Sequence, residues 1–386
     1  MNLRALTFSL LLSLAYPISA LQPLQRSIGD HQTDSLSADT VVEQSAQQPR
    51  KLSLIRRIIR GFDRLDENYI EPQHYVYQTM LQTTYSYDLF ELSSSDANEQ
   101  KISFSPDGSF KVGPYIGWKW VFLGYTFSLN HSDFRKNKTE LGMSIYSSQI
   151  GIDLLYRRTG SDYKIREAHL GSGIDTGPLE NTSFDGVKAG ITGINAYYIF
   201  NHGRFSYPAA FAQSTRQKIS CGSWMAGLGY TKNTLELDHE LLKSVVSERL
   251  ASQTVTLDSG LMFRSVEYHD FSISGGYAYN WVFAPKWLFC ASGQVALGYK
   301  KTTGISMSSV SEFSKVSVSP NLIGRFAVVY NNSDWFAGFS AIVHSNNYRQ
   351  ARFMTKNTFG SFNMYVGYNF GMKKKYRKSS SQAKRR

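Results

Sequence analysis

Three short stretches hold residues that could do chemistry if the fold gave them partners. Asp175-Thr176-Gly177 has the spelling of an aspartic-protease loop, a chemistry that needs two carboxylates facing each other to share one proton. The sequence has one such triplet, followed by Pro178, which fits a polar turn. Gly171, Gly173 and Gly177 lack the spacing and the preceding strand of a dinucleotide loop. The eight histidines form no His-Glu-x-x-His pattern and the two cysteines are far apart, so no metal and no cofactor is expected. A hydrolase would need Ser, His and an acid clustered on neighbouring elements. His344 and Ser345 are adjacent and would point to opposite faces of a strand. No catalytic, cofactor-binding or metal-ligating residue is assigned: the expectation is not an enzyme, with a barrel-embedded hydrolase as the remotest alternative.

A second set of residues could bind rather than react. Asp153, Arg157, Asn280, Gln294, Lys300, Arg325 and His344 all fall on the polar side of segments that alternate with period 2, the side that would face a barrel lumen. Asn321, Asn363 and Asn369 share that face. Charges of both signs turned away from lipid must be solvated by water or locked into ion pairs, because an unpaired buried ion costs several kcal/mol. An open lumen gives the first outcome and a plugged one the second. Cys221 and Cys290 also point inward, and with one whole strand between them, ~9.5 Å, they are expected as free thiols rather than a disulfide.

The elements that would position these residues are strands. From Phe271 to Phe283, Phe271, Ile273, Tyr277, Tyr279, Trp281 and Phe283 alternate with Ser272, Ser274, Ala278 and Asn280. The same pattern returns from Trp287 to Lys300, from Leu322 to Tyr330 and from Phe362 to Phe370. Aromatic residues gather near the strand ends, as an interfacial girdle requires. The strands are read as 78–91, 109–117, 119–130, 139–146, 149–157, 162–168, 187–200, 204–214, 218–231, 268–283, 286–300, 315–330, 334–345 and 358–370. That makes fourteen, or twelve if the weaker members fail. Short connections at Ala284–Lys286 and Asn331–Asp334 alternate with long ones at 301–314 and 346–357. Leu241, Leu242, Val245, Val246 and Leu250 predict a short helix inside the long loop 233–267.

Residues 1–20 have a positive start at Arg4, a short apolar run and a small-residue end at Ala20, the pattern of a cleavable secretory signal. Residues 21–50 lack aromatics and are rich in Ser, Gln and Asp, a disordered periplasmic leader. Within it, Asp34-Ser35-Leu36 and Asp39-Thr40-Val41 have the acid-hydroxyl-apolar form of an O-glycosylation site. Residues 51–76 form an amphipathic helix and a lead-in segment, with Leu52, Ile55, Ile58, Ile59 and Phe62 on one side and Arg56, Arg57 and Arg60 between them. Residues 77–371 are the barrel, and 372–386 a basic periplasmic tail. No later stretch reaches the ~18 apolar residues of a spanning helix. The 24 Tyr, 24 Phe and 6 Trp, set against only 19% charged residues, fit a lipid-facing barrel instead. The fold class is therefore all-β: a transmembrane antiparallel β-barrel of 12 to 14 strands with a short N-terminal amphipathic helix.

The net charge of +12 invites a nucleic-acid partner. Eight positive charges sit in the last fourteen residues, leaving +4 for the rest, so no nucleic acid is expected. The partners expected are outer-membrane lipid, the barrel-assembly machinery and, if the lumen is open, a small solute.

The run GPYIGWKWVFLGYTF, with Pro114, Tyr115, Gly117, Trp118, Trp120, Phe122, Gly124 and Tyr125, resembles the opening of a Bacteroidetes family, domain of unknown function 4421. NYIEPQHY at Asn68–Tyr75, SQIGIDLLYRRTGSDYKIR at Ser148–Arg166 and GGYAYNWVFAPKWLF at Gly275–Phe289 are similar to further pieces of it. The resemblance implies an outer-membrane barrel from a Gram-negative anaerobe or commensal. It implies no activity and carries over no functional residue. The basic tail after Phe370 departs from the usual terminal aromatic that guides barrel assembly.

Residues and resemblance together predict an outer-membrane, porin-like β-barrel, both termini periplasmic, acting as a pore or small-solute channel. The alternative is a structural, assembly or partner-docking role. The helix at 51–65 or the loop at 233–267 could close the lumen.

Overall fold

The computed structural model describes residues 65–377, apart from 95–99, 119–120, 130–138, 160–161, 252, 254, 259–260, 262, 307–311 and 350–352. The signal peptide, leader, glycosylation triplets, helix at 51–64 and tail beyond Arg377 lie outside the described residues. Alternating sequences form twelve staves. They are β1 (Tyr75–Ser94), β2 (Lys101–Pro106 continuing as Ser109–Trp118), β3 (Val121–Gly124 and Phe127–Ser128), β4 (Thr139–Tyr146), β5 (Ile150–Arg158) and β6 (Val187–Ile199). The remainder are β7 (Cys221–Leu237), β8 (Phe263–Ala284), β9 (Trp287–Ser306), β10 (Glu312–Asn331), β11 (Trp335–Arg349) and β12 (Phe353–Met372). Each pairs antiparallel with its sequence neighbour from β4 round to β12, β12 pairs β1, and β1 continues through β2 to β3. This is an up-and-down β-barrel.

The alternation decides which side chains face out. Phe271, Ile273, Tyr277 and Trp281 are exposed, while Asp270, Ser274, Ala278 and Asn280 on the other face are buried. Phe271 and Trp281 lie ten residues apart on β8. At ~3.4 Å per residue and a tilt of ~40° they are ~26 Å apart in height, the height of the apolar band that a bilayer requires. The register places Tyr230, Phe271 and Tyr299 side by side on β7, β8 and β9 at the upper edge of that band. Above it the outward face becomes charged, with Lys232 2.8 Å from Glu267 and Lys188 4.0 Å from Glu236.

The strands therefore rise past the apolar band into a collar. That is why the connections expected at 301–314 and 346–357 are shorter than the sequence suggested: β9 and β11 run on to Ser306 and Arg349, and β10 and β12 begin again at Glu312 and Phe353. Two of the fourteen predicted strands are not staves, which leaves the twelve of the alternative count. Tyr163–His169 is a strand but not a stave: it pairs with Lys101–Pro106 and with Thr182–Ser183 and builds collar wall beside the upper half of β2. Segment 204–214 is no strand, because it belongs to a turn folded into the barrel that contains the one-turn helix α1 (Pro208–Phe211). The expected helix in loop 233–267 is α2 (His239–Arg249), with Asp238 capping the Leu241 amide at 3.0 Å. After β12, 374–377 make a helical turn that packs Tyr376 on His74, ring centroids 4.2 Å apart. Tight two-residue turning at Pro285-Lys286 needs the left-handed conformation seen at Lys286, φ 71°.

Candidate functional site

Two apolar clusters divide the interior. At the collar end, α2 lays Leu242 and Val246 against the inward faces of the strands, among them Leu92, Ile102, Phe104, Val187, Leu235 and Val266. Loop segments are stitched over it. The buried Gln100 side chain donates to the Leu170 and Thr256 carbonyls at 3.0 and 2.8 Å and accepts from the Asp258 amide at 2.8 Å. Asp175 of the triplet sits in this region as a turn former, accepting from the Gly177 amide at 3.0 Å.

At the end that carries the chain termini, the turn between β6 and β7 brings Phe205, Tyr207, Ala209 and Ala210 inside the barrel against Ile199, Met225, Ala278, Cys290 and Ala327. It is fastened by polar contacts. Tyr207 Oη meets Ser292 Oγ at 2.9 Å, Gln213 Nε2 donates to Tyr365 Oη at 2.6 Å, and Asn280 Nδ2 donates to the Ser206 carbonyl at 2.8 Å and to Gln217 Oε1 at 3.1 Å. Thr215–Gln217 also pairs with Ile70–Pro72, which ties the turn to the start of the described chain. Cys290 is buried in this cluster and Cys221 half-buried beside it, both free thiols; Asn280 lies between them in the register.

Between the clusters lies a belt holding most of the polar residues singled out in the sequence. Arg325 on β10 is fully buried, and its Nη2 meets Asp153 Oδ2 on β5 at 2.5 Å. Its Nη1 lies 3.5 Å from Gln294 Oε1, and its guanidinium carbon stands 5.2 Å from the Tyr197 ring centroid. Lys300 pairs with Asp270 at 3.4 Å and donates to Asn321 Oδ1 at 3.1 Å and to the Asn347 carbonyl. Arg157 on β5 pairs with Asp88 on β1 at 3.8 Å, both 2% exposed. His344 stacks on its register partner Phe359, ring centroids 4.9 Å apart and nearly parallel. The charges pair with one another, three cations with three carboxylates, as a plugged barrel demands and an open one does not.

The Arg325–Asp153 pair also reports the shape of the wall. Twelve staves ~4.8 Å apart and tilted by ~40° would close a circle ~24 Å across, and β5 and β10 are five staves apart on that ring. An Arg and an Asp cannot bridge such a span, so the cross-section is flattened and these two walls face each other. Small inward residues allow it: a Cβ added at Gly151 would come within 2.1 Å of the Tyr197 ring that lies over it.

The sequence reading did not name Asp88 or Asp270, although Asp270 is in phase with Ser272 and Ser274, nor the bonding of His269. His269 Nδ1 meets Tyr230 Oη at 2.8 Å and its Nε2 meets Glu267 Oε1 at 3.0 Å, on the outward face of β7 and β8. On the collar, Lys164 and Arg166 hold the Asp107 carboxyl below the usual carboxylate range, with contacts of 2.7 and 2.9 Å.

A family model described as "Domain of unknown function (DUF4421)" matches residues 64–370, nearly the whole described chain. The chain belongs to this family. No curated protein matches the DUF4421 chain in sequence. Among solved structures it is similar to the outer membrane protease OmpT from Escherichia coli, at 8% identity and a TM-score of 0.35, covering 76% of this chain and 97% of that one. It is also similar to the translocator domain of the autotransporter NalP from Neisseria meningitidis, at 8% identity and 0.32, covering 82% and 93%. A third likeness is to the Pseudomonas putida toluene transporter TodX, at 10% identity and 0.22, covering 76% and 90%. With scores this low, the barrel rests on the strand pairing of the DUF4421 chain itself.

Proposed function

We propose that this chain is an outer-membrane β-barrel closed at rest, with both termini in the periplasm and the collar outside the cell, which serves as a scaffold or docking protein rather than as a free pore. The observation that carries the reading is the belt: Arg325, Arg157 and Lys300 are buried at 0 to 2% exposure and each faces a carboxylate, between one apolar cluster at the collar end and another at the terminal end. The orientation follows from the even stave count and from the short turns on the side of the termini.

The small-solute channel is the second reading, and one feature favours it. The inward β6–β7 turn is held by side-chain hydrogen bonds and apolar packing and is not a stave, so its departure would not open the wall. Purified protein in a planar bilayer separates the two. The closed barrel predicts silence for the wild type and stepwise current only when the turn is unseated, for example by Asn280→Ala with Tyr207→Ala. Stepwise current from the wild type would overturn the closed reading in favour of the channel.

A further inference from the structure

A cleft of about 350 Å³ opens at the terminal end, between the first residues of β1, the β4–β5 turn and the inward β6–β7 turn. Its walls mix hydroxyls and amides with apolar groups: Ser147 from the β4–β5 turn, Ser214 and Thr215 from the inward turn, Gln73 and Asn369, with Leu65 and Val76 between them. Lys373 supplies a single ammonium, and no carboxylate is among the lining residues. Lys374, Lys375 and Arg377 follow it in the chain, with Lys375 3.9 Å from Glu67.

One lining residue is incompletely satisfied. Asn369 is 1% exposed, and its amide nitrogen donates to the Ser333 carbonyl at 2.8 Å, but its carboxamide oxygen has no hydrogen-bond partner among the described residues. A buried acceptor without a donor is costly, and a ligand hydroxyl would satisfy it.

We infer that this cleft binds an acidic sugar, one or two rings long. The volume falls in the range of small-molecule sites. Amides and hydroxyls on several sides match the alternating donors and acceptors of a pyranose, and Lys373, whose ammonium also donates to the Gln73 carbonyl at 2.7 Å, takes one carboxylate or phosphate. The chain's own preceding segment is a poor occupant, because Arg56, Arg57, Arg60 and Arg64 would be brought against Lys373. The assignment does not depend on whether the lumen conducts.

Titration calorimetry of the full mature chain in detergent micelles tests it, with glucuronate as probe and glucose and inorganic phosphate as controls. Glucuronate should bind at least tenfold more tightly than either control. Lys373→Met should weaken glucuronate about tenfold and leave glucose unchanged, while Ser214→Trp, which fills the cleft, should abolish binding with the barrel still folded by circular dichroism. Equal affinity for glucose, equal affinity for phosphate, no binding of glucuronate, or binding that survives Ser214→Trp would each overturn the assignment. So would spontaneous cross-linking between Phe62→Cys and Ser214→Cys in the full chain, which would make the occupant the chain itself. Bilayer conductance reports separately on the closed-barrel reading, so either can fail alone.

Discussion

Replacing Arg325 by alanine removes the guanidinium that joins β10 to β5 and leaves the Asp153 side chain without its cation. Arg325 is fully buried and Asp153 has 17% side-chain exposure, so little solvent reaches the contact. Breaking one member of such a buried pair costs ~3–5 kcal/mol, and the residual exposure of Asp153 places the expected loss near the lower figure, ~3 kcal/mol. Asp153→Asn should cost a similar amount because it strands the guanidinium beside the Gln294 carbonyl and the Tyr197 ring. Replacing both partners with apolar residues of like size, Arg325→Met with Asp153→Leu, should return the protein to within ~1 kcal/mol of wild type. Urea unfolding in lipid vesicles, followed by the fluorescence of tryptophans at the edges of the barrel such as Trp224, Trp281, Trp287 and Trp335, gives the three free energies. A loss below ~1 kcal/mol for Arg325→Ala, or a double variant as unstable as the two losses added, would mean that water screens the pair. The closed lumen would then be wrong.

On the outer wall, Val295 is half-exposed at mid-strand, and Val295→Arg should cost ~2–4 kcal/mol in the same assay; an unchanged unfolding midpoint would remove it from the lipid face. Tyr207→Phe deletes the bond to Ser292 Oγ that helps seat the inward turn and should cost ~1 kcal/mol, read as faster proteolysis within the turn; wild-type resistance would show the bond to be idle. For Asp107 the sign follows from the depressed folded-state pKa: its pairing with Lys164 and Arg166 stabilises above the ordinary carboxylate pKa of ~3.9 and is lost as pH falls through the lower folded value. Since Asp107 is 59% exposed, Asp107→Asn should cost a few tenths of a kcal/mol at pH 7, shrink in high salt and vanish at the most acidic pH; a penalty that grew toward acid would refute the assignment.

The outward half of the barrel was legible because its signal is local. Phe271, Ile273, Tyr277 and Trp281 repeat every second residue, and a one-residue error would turn all of them inward. The same rule produced the false stave at 204–214. Phe205, Tyr207, Ala209 and Phe211 alternate with Ser206, Pro208, Ala210 and Ala212 just as a wall strand would, yet most of both sets is buried in the inward turn. Period 2 shows that a segment has two unlike faces and cannot say whether the apolar one meets lipid or the inside of its own barrel. Pro208 was the local cue, since it removes a ladder donor and starts α1 cleanly.

The belt was legible by face but not by partner, and the reason is geometric. Asp153 and Arg325 are 172 residues apart, and nothing between them fixes whether their strands touch, face or miss each other. That depends on the number of staves, because barrel diameter grows with strand number, and on how far the ring is flattened. With the fourteen strands first read, Arg325 would look across a wider lumen and water would be its natural partner. With twelve, and with Gly151 leaving room for Tyr197 to lie flat, the facing walls come close enough for a direct contact. Removing two staves thus turns the same inward charges from the lining of a pore into a cross-brace, and the two removed segments are where the filling comes from: 204–214 enters the terminal mouth, and the 163–169 strand builds the collar wall that encloses α2.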